Sequence, residues 1–171
     1  MKAVRAAVDD TNADVRVNAI RVLGSWKTAD AAPELLALAK ASAKPDEKVL
    51  FVRGYLSLAA NTDIPQAERL TMCQEGSKLA QSTDEKRLLL AALGAIASPN
   101  SLTLIRPHLD DKATIEEASA ATLAVTEKLV AGSASAKSIE PLEKVVQSSS
   151  NANLVQKAKK LLDEAKKKAV K

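Results

Sequence analysis

The chain offers one histidine and one cysteine to any chemistry that needs them, His108 and Cys73. His108 stands in Arg106-Pro107-His108-Leu109-Asp110. As a general base it would take Asp110 or Asp111 as the carboxylate that orients it. The plainer reading is a solvent-facing histidine at a helix end, beside Pro107. Cys73 lies in Leu70-Thr71-Met72-Cys73-Gln74, inside a predicted helix. A nucleophile there would need an activating base, and the plainer reading is a small buried packing residue. The two residues are far apart in sequence, and no carboxylates cluster at the spacing of a metal site. The phosphate-binding, dinucleotide-binding and nucleophile-elbow glycine motifs are absent. Gly24, Gly54, Gly76, Gly94 and Gly132 are scattered, and Gly54 is expected to let two helices approach closely. The sequence thus predicts no catalytic residue, no cofactor, no metal and no enzymatic activity.

Charge narrows the partners. The chain of 171 residues carries a formal +4. Residues 157–171 hold Lys157, Lys159, Lys160, Lys166, Lys167, Lys168 and Lys171 against Asp163 and Glu164. That is +5, which leaves −1 for the rest. A near-neutral body lacks the electrostatic footprint of a nucleic-acid binder. The lysines could meet phosphate or an anionic membrane surface. The favoured reading is a solvated last helix with cations near its C-terminus. That helix keeps a core-facing stripe of Leu154, Ala158, Leu161, Leu162 and Ala165. No apolar run approaches the roughly 18 residues of a membrane span. Met1-Lys2-Ala3 enters an amphipathic pattern directly, so no signal peptide is read there, and the compartment is left open.

These residues must be held by helices. Hydrophobic residues make up 46% of the chain but aromatic residues only 2%, namely Trp26, Phe51 and Tyr55. Alanine and leucine then fill the core, which suits closely packed helices better than sheets. Apolar residues step by three and four, as in Ile115, Ala118, Thr122, Val125 and Leu129. Pro33, Pro45, Pro65 and Pro99 sit near helix starts. Ser82 and Glu85 have capping-box spacing. About ten helices are predicted, near 1–9, 13–25, 31–41, 46–60, 65–81, 84–97, 100–109, 112–131, 137–148 and 151–168. Comparable starts near Asp14, Asp46, Asp84, Lys112 and Asn151 recur every 28 to 39 residues. A two-helix unit at that period points to an α-solenoid.

Val8-Asp9-Asp10-Thr11-Asn12-Ala13-Asp14-Val15-Arg16-Val17-Asn18-Ala19-Ile20-Arg21-Val22-Leu23-Gly24 resembles the HEAT repeat. In that family an Asp turn precedes Val-Arg, then a small residue, then Leu-Gly. Asp84-Glu85-Lys86-Arg87 followed by Ala91-Ala92-Leu93-Gly94 is a looser copy. Leu109-Asp110-Asp111 followed by Ile115 and Ala118 is a third, with Glu116 where the family usually has Arg. The resemblance implies an all-α superhelix of paired antiparallel helices and a single domain over 1–171, with the basic helix at 151–171. It makes Asp10, Val15, Arg16, Ala19, Leu23, Gly24, Leu93 and Gly94 structural residues of the repeat. It also implies that Asp10 and Arg16 bond across turns rather than to a ligand. Val52-Arg53-Gly54-Tyr55-Leu56 with Asp84-Glu85-Lys86-Arg87 is similar to HEAT-type segments of large multidomain bacterial proteins, which often carry sugar-processing or cytochrome-type domains. Residues 1–9 read as the second helix of a pair whose first is missing, so one end or a fragment of a longer protein is expected.

The functional expectation is a monomeric scaffold that binds a protein, or a neighbouring domain of its own chain, on its concave face. A non-catalytic appendage of a carbohydrate-processing enzyme and a nucleic-acid-binding HEAT-like protein are the alternatives. Three aromatics and a neutral body argue against the last.

Overall fold

In a computed structural model of the chain, the structure describes residues 2–132 and 135–169. These residues form ten α-helices and no strand. The helices are α1 (Lys2–Val8), α2 (Ala13–Gly24), α3 (Ala32–Ala41), α4 (Pro45–Ala59) and α5 (Gln66–Ser77). They continue with α6 (Thr83–Gly94), α7 (Pro99–Ile105), α8 (Ile115–Ala131), α9 (Ile139–Ser148) and α10 (Ala152–Ala169).

Local chemistry sets most of the boundaries. Asn12 accepts the Asp14 N–H at 2.9 Å and caps α2. Pro33, Pro45 and Pro99 lie in the first turns of α3, α4 and α7, where a missing N–H costs little. The capping box before α6 is formed in both directions. Glu85 accepts the Gln81 and Ser82 N–H groups at 2.9 Å, and the Glu85 N–H donates to Ser82 Oγ at 3.3 Å. Asn151 caps α10 through the Asn153 N–H at 3.0 Å.

The predicted 65–81 and 84–97 helices end earlier, at Ser77 and Gly94, and two further boundaries differ for identifiable local reasons. The predicted 100–109 helix is α-helical only to Ile105, then tightens into a 3-10 turn at Arg106–Leu109. Pro107 has no N–H to give and its ring crowds the carbonyl one turn back. The predicted 112–131 helix starts at Ile115 instead. Asp111 Oδ1 accepts the Ala113 N–H at 3.0 Å, and the Asp111 carbonyl accepts the Thr114 N–H at 2.9 Å. That side-chain turn draws the backbone away from the helix.

Contacts gather into two compact units, residues 1–88 and 89–171. The division falls inside α6, so no linker in the sequence marks it. In the first unit α4 is the hub, packing against α2, α3 and α5. Phe51, Val52, Tyr55, Leu56 and Leu58 of α4 are buried among Ile20, Leu23, Leu35 and Met72. In the second unit α8 is the hub for α7, α9 and α10. It buries Ala118, Leu123, Val125 and Val130 with Leu93, Ile105, Leu142 and Leu161.

Candidate functional site

His108 is half-buried in the 3-10 turn, and its carbonyl accepts the Thr114 hydroxyl at 3.4 Å. Asp110 pairs with Lys144, and Asp111 closes its own turn. Cys73 is fully buried on α5. Burial pushes its thiol up to about 12 against a smaller downward pull from Arg69. It is therefore a thiol, not a thiolate, at neutral pH. No group of three or more His, Cys, Asp or Glu among the described residues is placed to hold a metal ion.

The repeat residues divide between seam, core and surface. The Asp10 carboxylate accepts the Asn12 N–H at 2.8 Å. The Asp10 carbonyl accepts Arg16 Nη1 at 3.0 Å, while Arg16 Nε reaches Glu47 of α4 at 3.4 Å. Ala19, Leu23 and Leu93 are buried. Gly24 meets Gly54 backbone to backbone, and Gly94 lies against Ala121. Val15, grouped with them in the sequence, is instead 41% exposed.

Polar bridges join helices two apart in the chain. In the first unit Arg5 of α1 pairs with Glu34 of α3, and Arg16 of α2 with Glu47 of α4. Lys40 of α3 pairs with Glu75 of α5 at 2.8 Å, and Arg53 of α4 with Asp84 of α6 at 2.9 Å. In the second unit Arg106, in the 3-10 turn that follows α7, pairs with Glu140 of α9 at 2.8 Å, and Glu127 of α8 with Lys157 of α10 at 3.2 Å. Glu116 of α8 accepts the Ser149 hydroxyl at 2.6 Å, with the Ser150 N–H at 2.9 Å and hydroxyl at 2.8 Å. Its carboxyl is accordingly held below the usual range, first by Ser149 and then by Ser150.

The C-terminal lysines are partly engaged as well. Lys166 pairs with Glu143 at 2.8 Å, and Lys168 donates to the Val130 carbonyl at 2.7 Å. Ala158, Leu161 and Ala165 are buried against α8 and α9. Lys171 lies outside the described residues. No described helix is long and apolar enough to cross a membrane.

The first unit also presents a surface that the sequence reading did not single out. Val15 and Val22, seven residues apart on α2, are the exposed large hydrophobics of the described chain, at 41% and 47%. One turn after Val22, the half-buried Trp26 lines a groove of about 720 Å³ at the C-terminal ends of α2 and α4. Its indole N–H donates to Thr28 Oγ1 at 2.9 Å. Ser57 lines this groove and also a second of about 480 Å³, walled by Arg53, Asp84, Arg87 and Leu88. The sequence signal was thin: two valines at helical spacing on the polar side of α2, and a lone Trp just past Gly24.

The chain matches no protein-family model, no curated protein and no solved structure.

Proposed function

We propose that the chain is a HEAT-like α-solenoid that serves as a protein-interaction scaffold, and that α2, α4 and the start of α6 supply its binding face. One observation carries the reading. The bridges between helices two apart span 29 to 35 residues in the first unit and 30 to 34 between the corresponding segments of the second. Stacked two-helix repeats create such bonds, because each side chain reaches its counterpart one repeat away. The face named is the one that combines exposed valines, a tryptophan and two arginines. Tryptophan and arginine are enriched at protein interfaces, and the exposed valines add apolar area beside them. The implied partner is a protein or a neighbouring domain, and the chain itself performs no reaction.

Affinity capture from an extract of the source cells tests this. Val22→Glu and Arg53→Glu alter the proposed face, whereas Glu68→Lys and Gln74→Lys alter exposed positions of α5. The first pair should abolish capture of a stoichiometric partner and the second pair should leave it intact. The reverse pattern would overturn the assignment of the face. Capture insensitive to all four would likewise overturn the assignment of the face, and the absence of any stoichiometric partner would overturn the scaffold reading.

A further inference from the structure

We propose that the valine flank of α2 joins a second copy of the chain, with the two α2 helices antiparallel about a two-fold axis. The inference rests on the scaffold reading and names the partner taken by the α2 edge of that face.

The packing of α4 on α2 defines this flank. Glu47 and Gly54, the third and tenth residues of α4, meet α2 at Arg16 and Gly24. The third and tenth residues of α2 are Val15 and Val22. They occupy the positions that α4 turns to its neighbouring helix, yet they are 41% and 47% exposed. At these positions α4 offers a carboxylate and a bare backbone, whereas α2 offers two branched apolar side chains. The match for α2 is therefore an apolar helix face and not an arginine and a glycine.

Charge identifies that helix. Asp14 and Arg21 each precede one of the valines, and both are exposed. Neither side chain forms an ion pair or a hydrogen bond among the described residues. The charges nearby are engaged: Arg5 with Asp9 and Glu34, Arg16 with Glu47, and the Asp10 carboxylate with the Asn12 N–H. The row from Asp14 to Arg21 thus runs from negative to positive along the helix. A second α2 running the other way carries this row reversed. Asp14 then meets Arg21 of the second copy, and Arg21 meets Asp14 of the second copy.

The charged pair and the valine pair each span seven residues, roughly 10 Å along the axis. Their midpoints differ by one residue, so one two-fold axis serves both rows. Parallel copies would instead set like charge against like. An unrelated protein would need the opposite order of charge at the same spacing, which a second copy has by symmetry. Such a contact uses the same patch on both copies and closes at two.

One helix face is a small contact and holds weakly, so the full chain is followed by sedimentation equilibrium from about 10 μM to about 1 mM. It should pass from monomer to dimer and no further. Asp14→Arg and Arg21→Asp each place like charges at both symmetry-related pairs and should weaken the dimer roughly tenfold. An equimolar mixture of the two variants should recover the affinity of the parent, because each arginine then meets an aspartate. Val22→Glu should abolish association, whereas Gln74→Lys, on an exposed position of α5, should leave it unchanged. Circular dichroism of each variant confirms that the helices persist. The proposal is overturned if the parent stays monomeric throughout, if it grows past the dimer, if both charge variants associate like the parent, or if their mixture stays apart. A monomeric parent leaves the scaffold reading to stand or fall on the extract comparison.

Discussion

The two hub helices solve the same packing problem with different side chains. On α4 the neighbouring backbone comes so close that a Cβ on Gly54 would stand 2.6 Å from Gly24 Cα and 2.8 Å from the Gly24 carbonyl oxygen. Phe51 and Tyr55 fill the rest, and all three aromatics of the chain fall in this unit. On α8 there is no aromatic, and Ala118, Ser119, Ala121, Thr122 and Thr126 make up much of the buried surface. Its close approach is looser, since a Cβ on Gly94 would stand 3.2 Å from Ala121 Cα. The seams invert as well. Arg16 donates across the first, whereas Glu116, at the corresponding position of the third repeat copy, accepts across the second. One architecture can thus be held by a backbone contact that permits no side chain, or by small hydroxyl-bearing residues that leave slack.

The sharpest way to break this contrast is at the glycines. Gly54→Ala should cost on the order of 3 kcal/mol even after its gain in helix propensity, because the atoms it meets are backbone and cannot turn aside. Gly94→Ala should cost less than about 1 kcal/mol. Gly24→Ala, whose Cβ meets only the Leu50 carbonyl at 3.4 Å, should be close to neutral. Urea unfolding of the three variants gives the order directly, and equal losses at Gly54 and Gly94 would erase the difference between the hubs.

Next come the seams. Arg16→Ala removes a bond to the Asp10 carbonyl and one to Glu47, and should cost about 1–3 kcal/mol. Glu116→Ala releases three donors, two of them on exposed Ser150 that water can satisfy, and should cost about 1–2 kcal/mol. The exposed Arg21→Ala should stay within about 0.5 kcal/mol. If Arg16→Ala proves as mild as Arg21→Ala, the first seam is not held by polar bonds.

The hydroxyls of α8 should separate into two kinds. The Thr122 hydroxyl is buried without a hydrogen-bond partner, so Thr122→Val should be neutral or stabilising. Thr126 donates to the Thr122 carbonyl at 2.8 Å, and Thr126→Val should cost about 1 kcal/mol. Thermal unfolding of both distinguishes slack packing from a bonded hydroxyl network.

The smallest effect concerns acid and salt. Lys40, and then Lys78, push the Glu75 carboxyl down to about 2 from the usual 4.5. A carboxyl lowered on folding stabilises the fold above its unfolded value, so this contribution fades as pH falls from about 4.5 toward 2. It comes from an exposed ion pair and should shrink at about 1 M salt. Glu116 is lowered by neutral hydroxyl and backbone donors, so its share of acid stability should survive that salt. Urea midpoints of Glu75→Gln and Glu116→Gln, followed below pH 5 at low and high salt, check both halves. Equal salt sensitivity would refute the distinction.

The helical class was legible because its signals are local. Apolar spacing, prolines in first turns and the Ser82–Glu85 capping box act within one or two turns of chain, and these helices lie close to where the pattern put them. Where a local competitor intervened, as with Pro107 and the Asp111 turn, the boundary moved by a few residues. The two-unit division stayed hidden because it cuts a continuous helix. The repeat motif told which residues recur, but not that Val15 faces solvent while Ala19 is buried beside it. Composition and spacing by themselves determined an all-helical chain with a near-neutral body. Only the tertiary structure decided that Arg53 reaches Asp84, that Gly54 touches Gly24, and that Trp26 and Arg87 border adjoining grooves. Each of these joins residues about thirty positions apart or more, or places them on one surface. Such meetings depend on the relative register of packed helices, which no local propensity encodes.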